Sequence, residues 1–310
     1  MTLRFTYAES MCDPGQLLPL AVAAEQAGFS SFTVPDSIAY PQRSAREYPY
    51  TADGNRAFLE DKPFLEPFSL IPALGAVTER LRFTTFVVKL PIRQPVLVAK
   101  SAASVAVLTN NRLALGVGLS PWPEDYRICG QEWKGRGARM EEMIAILRGL
   151  TSSPAQTRGA EAGRGSRTYL LGEFFEFHGR HYDLEPIKIC PIPTRPIPIL
   201  IGGHADAALR RAARIADGWM HAGGGEAQDL DAALRRLTEL RREHGREREP
   251  FEIHVISLDA YTPDGVRRLE EKGVTDAIVG FRNAYEQDVQ TLDQKIDALR
   301  AYADRVIAKA

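Results

Sequence analysis

The sequence predicts an α/β fold, a (β/α)8 or TIM barrel with two insertions, and three observations support this prediction. Eight short apolar runs typical of strands are spread over the whole chain of 310 residues. A helical pattern follows each run, and such regular alternation is typical of parallel strands. Eight strand–helix units in a chain of this length fit a closed barrel better than an open doubly wound sheet.

The first half of the chain contains four of these units. The first helix is expected to begin at Asp13-Pro14, an N-cap followed by proline, and to end at Gly28. The predicted strands are Leu3–Ala8, Ser31–Pro35, Arg82–Val88 and Arg112–Val117, and the later predicted helices are Glu66–Val77, Pro95–Leu108 and Gly137–Leu150.

The second half repeats the pattern. The stretch from Pro196 to Trp219 contains an apolar run, two glycines, a helix with one buried face, and the start of the next strand. The predicted strands are Ile197–Ile201, a run that begins at Asp217, Phe251–Leu258 and Thr275–Phe281, and the later predicted helices are Ala227–His244, Pro263–Lys272 and Asp288–Ala303.

Two segments stand outside the alternation, and we expect a single domain over residues 1–310. Residues 38–63, after the second strand, are rich in Tyr, Arg and Asp, which predicts a lid-like loop. Residues 151–186, before the fifth strand, combine a polar mobile loop with a β-hairpin over Glu173–Leu184. Gly179-Arg180 is the expected two-residue turn of that hairpin.

Composition excludes several classes of function. The formal net charge is -1 with both signs interspersed, so we expect no nucleic-acid partner. No apolar run approaches the roughly 20 residues of a membrane span, and the N-terminus lacks the apolar core of a signal peptide. The cysteines, Cys12, Cys129 and Cys190, form no CxxC pair, which argues against disulfide or thiolate–metal frameworks and favours a cytoplasmic setting.

Glycines are concentrated in the loops at the carboxyl ends of the strands, where a barrel carries its chemistry. Gly202-Gly203 directly precede a helix, so the free N–H groups of that helix can meet a phosphate with no side chain between them. An ordinary β–α turn is the alternative. A second run, Gly223 to Gly225, on the adjacent loop favours the phosphate seat.

Single side chains near these loops leave alternatives open. His178 and His181 have no evident third ligand, so no metal site is predicted. His204 either caps its helix or donates to the phosphate. His221 ends the sixth strand, and its side chain is expected to face the barrel mouth. Trp122 either walls a substrate pocket or packs on its own loop.

Long motifs in a fixed order then point to a known family. They are AEQAGFSSFTVPDS, EPFSLIPALGAVTERLRFTT, PVLVAKSAASVAVLTNNRLALGVG, RGARMEEMIAILRGL, GEFFEFHGRHY and IGGHADAALRRAARIADGW. With these motifs, the chain resembles the bacterial-luciferase-like oxidoreductases over nearly its whole length. More narrowly, it resembles the branch that uses coenzyme F-420, a 5-deazaflavin.

The resemblance implies cofactor contacts at the barrel mouth. Asp36 matches a residue that contacts the deazaflavin ring, and the third-strand bulge matches a segment with a non-proline cis peptide, expected here at Phe86–Val87. Tyr126 matches a tyrosine that reaches the phosphate in some FMN relatives, with a packing role as the alternative. The predicted cofactor-binding residues are Asp36, Thr85, Phe86, Val87, Gly116, Gly118, Tyr126, Gly202, Gly203, His204, Ala222, Gly223 and Gly224. The predicted substrate pocket consists of Tyr7, Tyr40 and Trp122.

The resemblance also implies a function, hydride transfer between coenzyme F-420 and a small organic substrate. The Tyr-rich lid favours an apolar or aromatic substrate. Ser37 stands where several members carry a His, so that proton chemistry is not carried over, and the catalytic candidates are Asp36, Ser37 and His221. Leu119-Ser120-Pro121 stand where sugar-phosphate-oxidising members carry a Glu, so we expect no sugar phosphate substrate.

Two alternatives to this function are kept. One is an FMN-dependent monooxygenase that uses reduced flavin and O2, and the other is a cofactor-binding barrel without turnover. The resemblance further implies a homodimer built on helices of the first half of the barrel, and a separate flavin or deazaflavin reductase as partner. Arg136 and Arg139 are expected to solvate a helix face rather than to bind the cofactor.

Overall fold

The structure is a computed structural model that describes residues 2–44, 46–48, 51, 53–157, 168–221 and 227–310. Its strands are β1 (Arg4–Tyr7), β2 (Ser31–Val34), β3 (Arg82–Thr85), β4 (Val88–Lys89), β5 (Leu113–Gly118), β6 (Phe175–His178), β7 (Asp183–Ile187), β8 (Ile199–Gly202), β9 (Gly218–His221), β10 (Glu252–Ile256) and β11 (Asp276–Val279).

Eight parallel strands close into a barrel. The neighbours run in the order β3-β2-β1-β11-β10-β9-β8-β5, and a further pairing of β3 with β5 closes the ring. At the closure, Phe83 is in register with Leu113 and Thr84 with Ala114. The structure therefore confirms the (β/α)8 barrel that the eight strand–helix units predict.

The helices lie around this barrel. They are α1 (Leu17–Gln26), α2 (Pro67–Ala76), α3 (Pro95–Leu108), α4 (Pro123–Ile128), α5 (Arg136–Thr151), α6 (Pro154–Thr157), α7 (Asp206–Ile215), α8 (Ala227–Glu243), α9 (Pro263–Glu271) and α10 (Leu292–Arg305). Side-chain caps explain several starts: the Asp13 carboxylate accepts from the Gly15 N–H ahead of α1, and Thr291 forms a capping box with Gln294. None of the helices in the described ranges is long and apolar enough to cross a membrane.

Two apolar layers follow from the alternation of side chains along each strand. On β1, Phe5 and Tyr7 belong to the large core between the strands and the helices. Ala8, which has the opposite parity, packs with a small cluster in the barrel interior. The buried members of that interior cluster are Ala114, Leu200, Met220 and Ile278.

The structure corrects two details of the sequence prediction. The third strand does not run unbroken from Arg82 to Val88, because the Phe86–Val87 peptide is cis and separates β3 from β4. The hairpin loop comprises the four residues between His178 and Asp183 rather than a two-residue turn. Glu142 of α5 holds this loop, since its carboxylate accepts from three successive backbone N–H groups at residues 180–182.

The amino-terminal end of the barrel is closed by a buried network of charges. Arg82 donates to Glu252 at 2.7 Å, and Arg4 bridges Glu252 at 2.9 Å and Asp276 at 2.6 Å. His254, which is fully buried, lies 2.8 Å from the Glu252 carboxylate. Burial alone would raise the pKa of Glu252, but hydrogen bonds from His254 and Arg82 lower it well below its ordinary value.

Three groups of this network could in principle hold a metal ion. The side-chain donor atoms of Glu252, His254 and Asp276 all lie within 4.8 Å of one another. Arg4 and Arg82 already bind these carboxylates. The cluster is therefore better explained as a network of structural ion pairs than as a metal centre.

Candidate functional site at the barrel mouth

The carboxyl end of the barrel is built around the bulge Thr85-Phe86-Val87. The cis peptide lies at Phe86–Val87, the position that the family resemblance implies. Glycines on the neighbouring strand make room for the bulge: a Cβ added to Gly116 would lie 2.0 Å from the Thr85 carbonyl oxygen, and one on Gly118 would lie 2.7 Å from Val87. Only glycine permits such close approach of two backbones.

The bulge contributes to an apolar floor at the mouth. Phe86 and Val87 pack with Ala8 and Ile256, and all four side chains are only partly buried. Beneath them lies the fully buried interior cluster. The mouth of the barrel therefore presents an apolar surface next to backbone groups, and such a surface suits an apolar ring system.

A buried ion network fixes the outer side of the bulge. Asp36, whose side chain is 2% exposed, accepts from the backbone N–H of Lys89 at 2.9 Å and from Arg93 at 2.8 Å. The ammonium of Lys89 binds Asp125 at 2.7 Å, and the Ser120 hydroxyl donates to the same Asp125 oxygen. Because both Asp36 oxygens are engaged, its carboxylate positions β4 and is not a free acid or base.

The predicted phosphate seat lies between β8 and α7. Gly203 has φ +129°, a conformation that favours glycine, and its carbonyl accepts from the Trp219 indole at 2.8 Å. The N-cap of α7 is Ala205, which supplies no side-chain cap to the first turn. The N–H of Ala208 already donates to the Ala205 carbonyl at 2.7 Å, so the N–H groups before it are the ones that could meet water or an anion. Ala222, Gly223 and Gly224, predicted to complete the seat, lie outside the described residues.

His204 and His221 form a stacked pair beside this seat. Their ring centroids are 4.4 Å apart, with 21° between the planes. Burial, together with the neighbouring imidazole of His204, lowers the pKa of His221 to about 4. Burial also lowers the pKa of His204, so the uncharged forms are favoured.

The position of His221 corrects the expectation that it faces the barrel mouth. On β9 the side chain that points into the barrel is Met220. His221 has the opposite parity and faces His204 and Trp219 in the outer layer.

Beyond the mouth, the lid-like segment encloses a cavity of about 140 Å³. Ser37, Tyr40 and Trp122 line it, together with Arg56, whose guanidinium lies 4.6 Å from the Tyr40 ring centroid. Arg56 also donates to the Pro41 carbonyl at 2.7 Å. The structure therefore brings the predicted pocket residues Tyr40 and Trp122 together.

Aromatic contacts hold the lid against the rest of the mouth. Tyr48 stacks on Trp122 with ring centroids 5.9 Å apart. Phe58 packs edge-on against Tyr285, from the loop after β11, at 4.9 Å. These pairs join the lid to loops after two other strands, and each is worth about 1 kcal/mol beyond its buried area.

Tyr7 does not line this pocket. Its side chain is 1% exposed, faces the helices and packs against Phe32 and Phe281. Its hydroxyl donates to the buried carboxylate of Glu9 at 2.8 Å. Tyr7 is therefore a core residue, since its parity on β1 turns it away from the barrel axis.

Tyr126 is buried below the loop that follows β5. It packs edge-on against Trp133 at 5.0 Å, and the Arg139 guanidinium lies 5.8 Å from its ring centroid. Its hydroxyl has no hydrogen-bond partner among the described residues. Arg139 is only 5% exposed, and Arg136 lies over Trp133, so neither arginine simply solvates a helix face as expected.

Lys89, Arg93 and Asp125 are the residues that sequence reasoning misses. Their local sequence does not identify their partners, which lie 36 to 57 residues away. A usable signal is the presence of charged residues inside an otherwise apolar segment, since buried charges are paired.

Comparison with known proteins agrees with this architecture. The model of the luciferase-like monooxygenase family matches residues 5–302. An uncharacterized protein of Mycobacterium tuberculosis is 57% identical over 309 residues, which cover 99% of this chain and 100% of that protein.

Two further similarities concern characterised proteins. A protein of Tsukamurella paurometabola named F420-dependent glucose-6-phosphate dehydrogenase is 28% identical over 268 residues, 83% of this chain and 68% of that protein. The crystal structure of a monooxygenase from Streptomyces bottropensis has a TM-score of 0.72 at 16% identity, with 99% of each chain covered, and so shares the fold. The chain is thus an oxidoreductase that belongs to the luciferase-like monooxygenase family.

Proposed function

We propose that this protein transfers hydride between coenzyme F-420 and a small organic substrate with an apolar or aromatic part. The observation that carries the proposal is the apolar floor at the mouth, which Phe86, Val87, Ala8 and Ile256 form beside Gly116 and Gly118. The similarity to the F420-dependent dehydrogenase of Tsukamurella paurometabola supports the deazaflavin over FMN.

The residues present fit such a cofactor. The floor matches a planar ring, and the edges of that ring would meet the backbone at Thr85 and Gly116. The glycines Gly202 and Gly203, with the uncapped first turn of α7, suit a phosphate. His204 lies beside the same turn, and its imidazole would donate a hydrogen bond to the phosphate.

In this mechanism the bound coenzyme supplies the hydride donor or acceptor. The chain's own residues position and shield the reacting groups. Asp36 and Lys89 hold the bulge in place, and the lid excludes water through its contacts with Trp122 and Tyr285. Of the catalytic candidates, Ser37 is the one whose residue lines the cavity under the lid.

Titration of the purified protein with coenzyme F-420 and, separately, with FMN tests this proposal. We expect saturable quenching of deazaflavin fluorescence and at least tenfold weaker FMN binding. Tight binding of FMN alone, with O2 consumption when reduced flavin and candidate substrates are supplied, would establish the monooxygenase instead. Binding of neither cofactor would support a barrel without turnover.

We further propose a homodimer through the outer face of α2 and α3. Leu97 and Leu108 on α3 are 67% and 70% exposed, and an apolar groove of about 630 Å³ runs between the two helices. Such a patch on one face is typical of a protein interface. Light scattering should give twice the chain mass of 34.3 kDa, and Leu97→Glu with Leu108→Glu should shift it to the monomer. A monomeric wild type would contradict the dimer.

A separate reductase that supplies the reduced cofactor remains part of the proposal.

A further inference from the structure

Arginines without carboxylate partners gather beside the barrel mouth. Arg136, at the start of α5, and Arg46, from the lid, both lie over the ring of Trp133, at 3.7 Å and 4.9 Å from its centroid. Arg139 is the third arginine of this cluster. No carboxylate of the described residues lies within ion-pair distance of any of the three.

Three acidic groups of helices α4 and α5 are already engaged by other partners. Glu141 binds Arg211 at 3.0 Å and also Arg214, both on α7. Glu124 accepts from the lid hydroxyl of Ser44 at 3.3 Å. Glu142 is occupied by the backbone of the hairpin loop. These three carboxylates are therefore not free to neutralise the arginines around Trp133, which repel one another.

The electrostatics of Arg136 reflect this excess. Burial lowers the pKa of Arg136, and repulsion from Arg46, Arg139 and Arg211 lowers it further. Its Nη1 donates only a long bond of 3.3 Å to the Trp133 carbonyl.

Two buried polar atoms in the cluster also lack partners. The Nε of Arg136 and the hydroxyl of Tyr126 are both buried without a hydrogen bond among the described residues. Tyr126 itself has no exposed surface. Each unpaired buried group costs free energy that a bound anion would recover.

The cluster adjoins the predicted phosphate seat. Helices α5 and α7 both begin at the carboxyl end of the barrel, and the two bridges from Glu141 hold them side by side. The contact is close, since a Cβ added to Gly137 would lie 2.6 Å from the Arg211 guanidinium. An anionic chain that leaves the seat before α7 would meet Arg136 next.

We propose that Arg46 and Arg136, with Trp133 and Tyr126, form a receptor for a multiply charged carboxylate chain, the oligoglutamate tail of the coenzyme. FMN ends at its phosphate and coenzyme F-420 continues into this tail, so the receptor makes the protein selective for the deazaflavin. The inference rests on the proposed function, because it concerns the same coenzyme.

The test compares coenzyme F-420 that carries glutamates with the form that ends before the first glutamate, and with FMN. Dissociation constants are measured by fluorescence titration, without turnover. We expect the wild type to bind the tailed form at least tenfold more tightly than the tail-free form. Arg46→Gln and Arg136→Gln should each remove about tenfold of affinity for the tailed form only, the usual worth of one charge-assisted hydrogen bond.

Matched variants separate this role from a structural one. Arg127→Gln removes an exposed arginine of the neighbouring helix α4 and should leave both affinities within twofold. Arg46 is exposed on the lid, so its replacement leaves the barrel core intact even if Arg136→Gln reduces stability. Raising the salt concentration should reduce the difference in wild-type affinity between the tailed and the tail-free coenzyme.

Three outcomes would overturn the inference. Equal wild-type affinity for the two deazaflavin forms would mean that the tail is not recognised. Equal weakening of both forms in the arginine variants would assign the cluster to the phosphate. If the wild type bound no deazaflavin in any form, the proposed function itself would fail, whereas the first two results would leave it standing.

Discussion

The two ends of the barrel differ in the chemistry of their residues. The amino-terminal end is filled with charges that satisfy one another, in which Arg4 and Arg82 bind Glu252 and Asp276 around the buried His254. The carboxyl end has an apolar floor, glycines that allow close backbone approach, and helix N–H groups without a side-chain cap.

The difference shows where binding can occur. At the closed end the Nδ1 of His254 is buried without a hydrogen bond among the described residues. Both carboxylates of that network, Glu252 and Asp276, have cationic partners, so a ligand would have to displace an internal ion pair. At the open end the unpaired groups, including the Tyr126 hydroxyl and the Nε of Arg136, await a partner. Replacements at the closed end should therefore change stability, and replacements at the open end should change binding.

The largest effect is expected for Glu252→Ala at the closed end. The change leaves Arg82 without its carboxylate and His254 with Asp276 as its one remaining acidic neighbour in this network. Breaking a buried ion pair in this way costs about 3 to 5 kcal/mol. Urea denaturation should show that loss in the free energy of unfolding, with unchanged cofactor affinity in the folded protein. Glu249→Ala, which removes the partner of Arg246 in a pair with a half-exposed carboxylate, is the control and should cost at most about 0.5 kcal/mol. Equal losses would contradict the contrast between the two ends.

Gly202→Asp at the open end should weaken cofactor binding by at least about tenfold, since a carboxylate would repel the phosphate over a short distance. Gly202→Ala is the matched control, because it adds the same Cβ, 3.1 Å from Val87, without charge. Fluorescence titration measures both variants. If the two lose the same affinity, crowding rather than charge governs the seat.

A smaller effect is expected for Phe58→Ala in the lid. The variant loses the edge-on contact with Tyr285, and we expect about 1 kcal/mol less stabilisation of the closed lid. Limited proteolysis should then cut the lid several times faster, while the melting temperature changes little. Phe174→Ala, at an exposed position on the insertion, should leave the cleavage rate of the lid unchanged. An unaltered cleavage rate in the Phe58 variant would show that the aromatic contacts do not hold the lid.

The smallest effect concerns pH. The pKa of His221 falls from 6.5 to about 4 on folding, so between these values the unfolded chain binds more protons than the folded protein. The free energy of unfolding should therefore decrease as the pH falls through this window. Its slope against pH should be at most the slope that corresponds to one bound proton. His221→Gln should flatten the dependence of the unfolding free energy on pH between 6.5 and 4, whereas the exposed His244→Gln should keep the wild-type slope. An unchanged slope in the His221 variant would show that this residue does not set the dependence.

Much of the fold could be predicted from local sequence. The strand–helix alternation, the caps at Asp13 and Gly28 and the proline helix starts depend on near neighbours in the chain. The glycines of the mouth were recognisable for the same reason, since a glycine pair before a helix is a local pattern. The cis peptide at Phe86–Val87 followed from the family resemblance and not from any local rule.

Side-chain direction was the main source of error. Tyr7 and His221 lie on strands of four residues that are buried on both faces, and in such strands no polar alternation marks the inward side. A weak signal was present: the charged residues Arg4 and Glu252 begin their strands with inward parity, which places Tyr7 on the other side.

The sequence by itself determined the barrel, its two insertions and the end at which chemistry is expected, because these depend on periodicity and on residues close together in the chain. Only the tertiary structure decided which side chains meet there. Asp36 is committed to Lys89 and Arg93, and Arg46 of the lid joins Arg136 over Trp133. Asp36 is 53 and 57 residues from its partners, and Arg46 is 90 residues from Arg136, so only the folded barrel brings these side chains into contact.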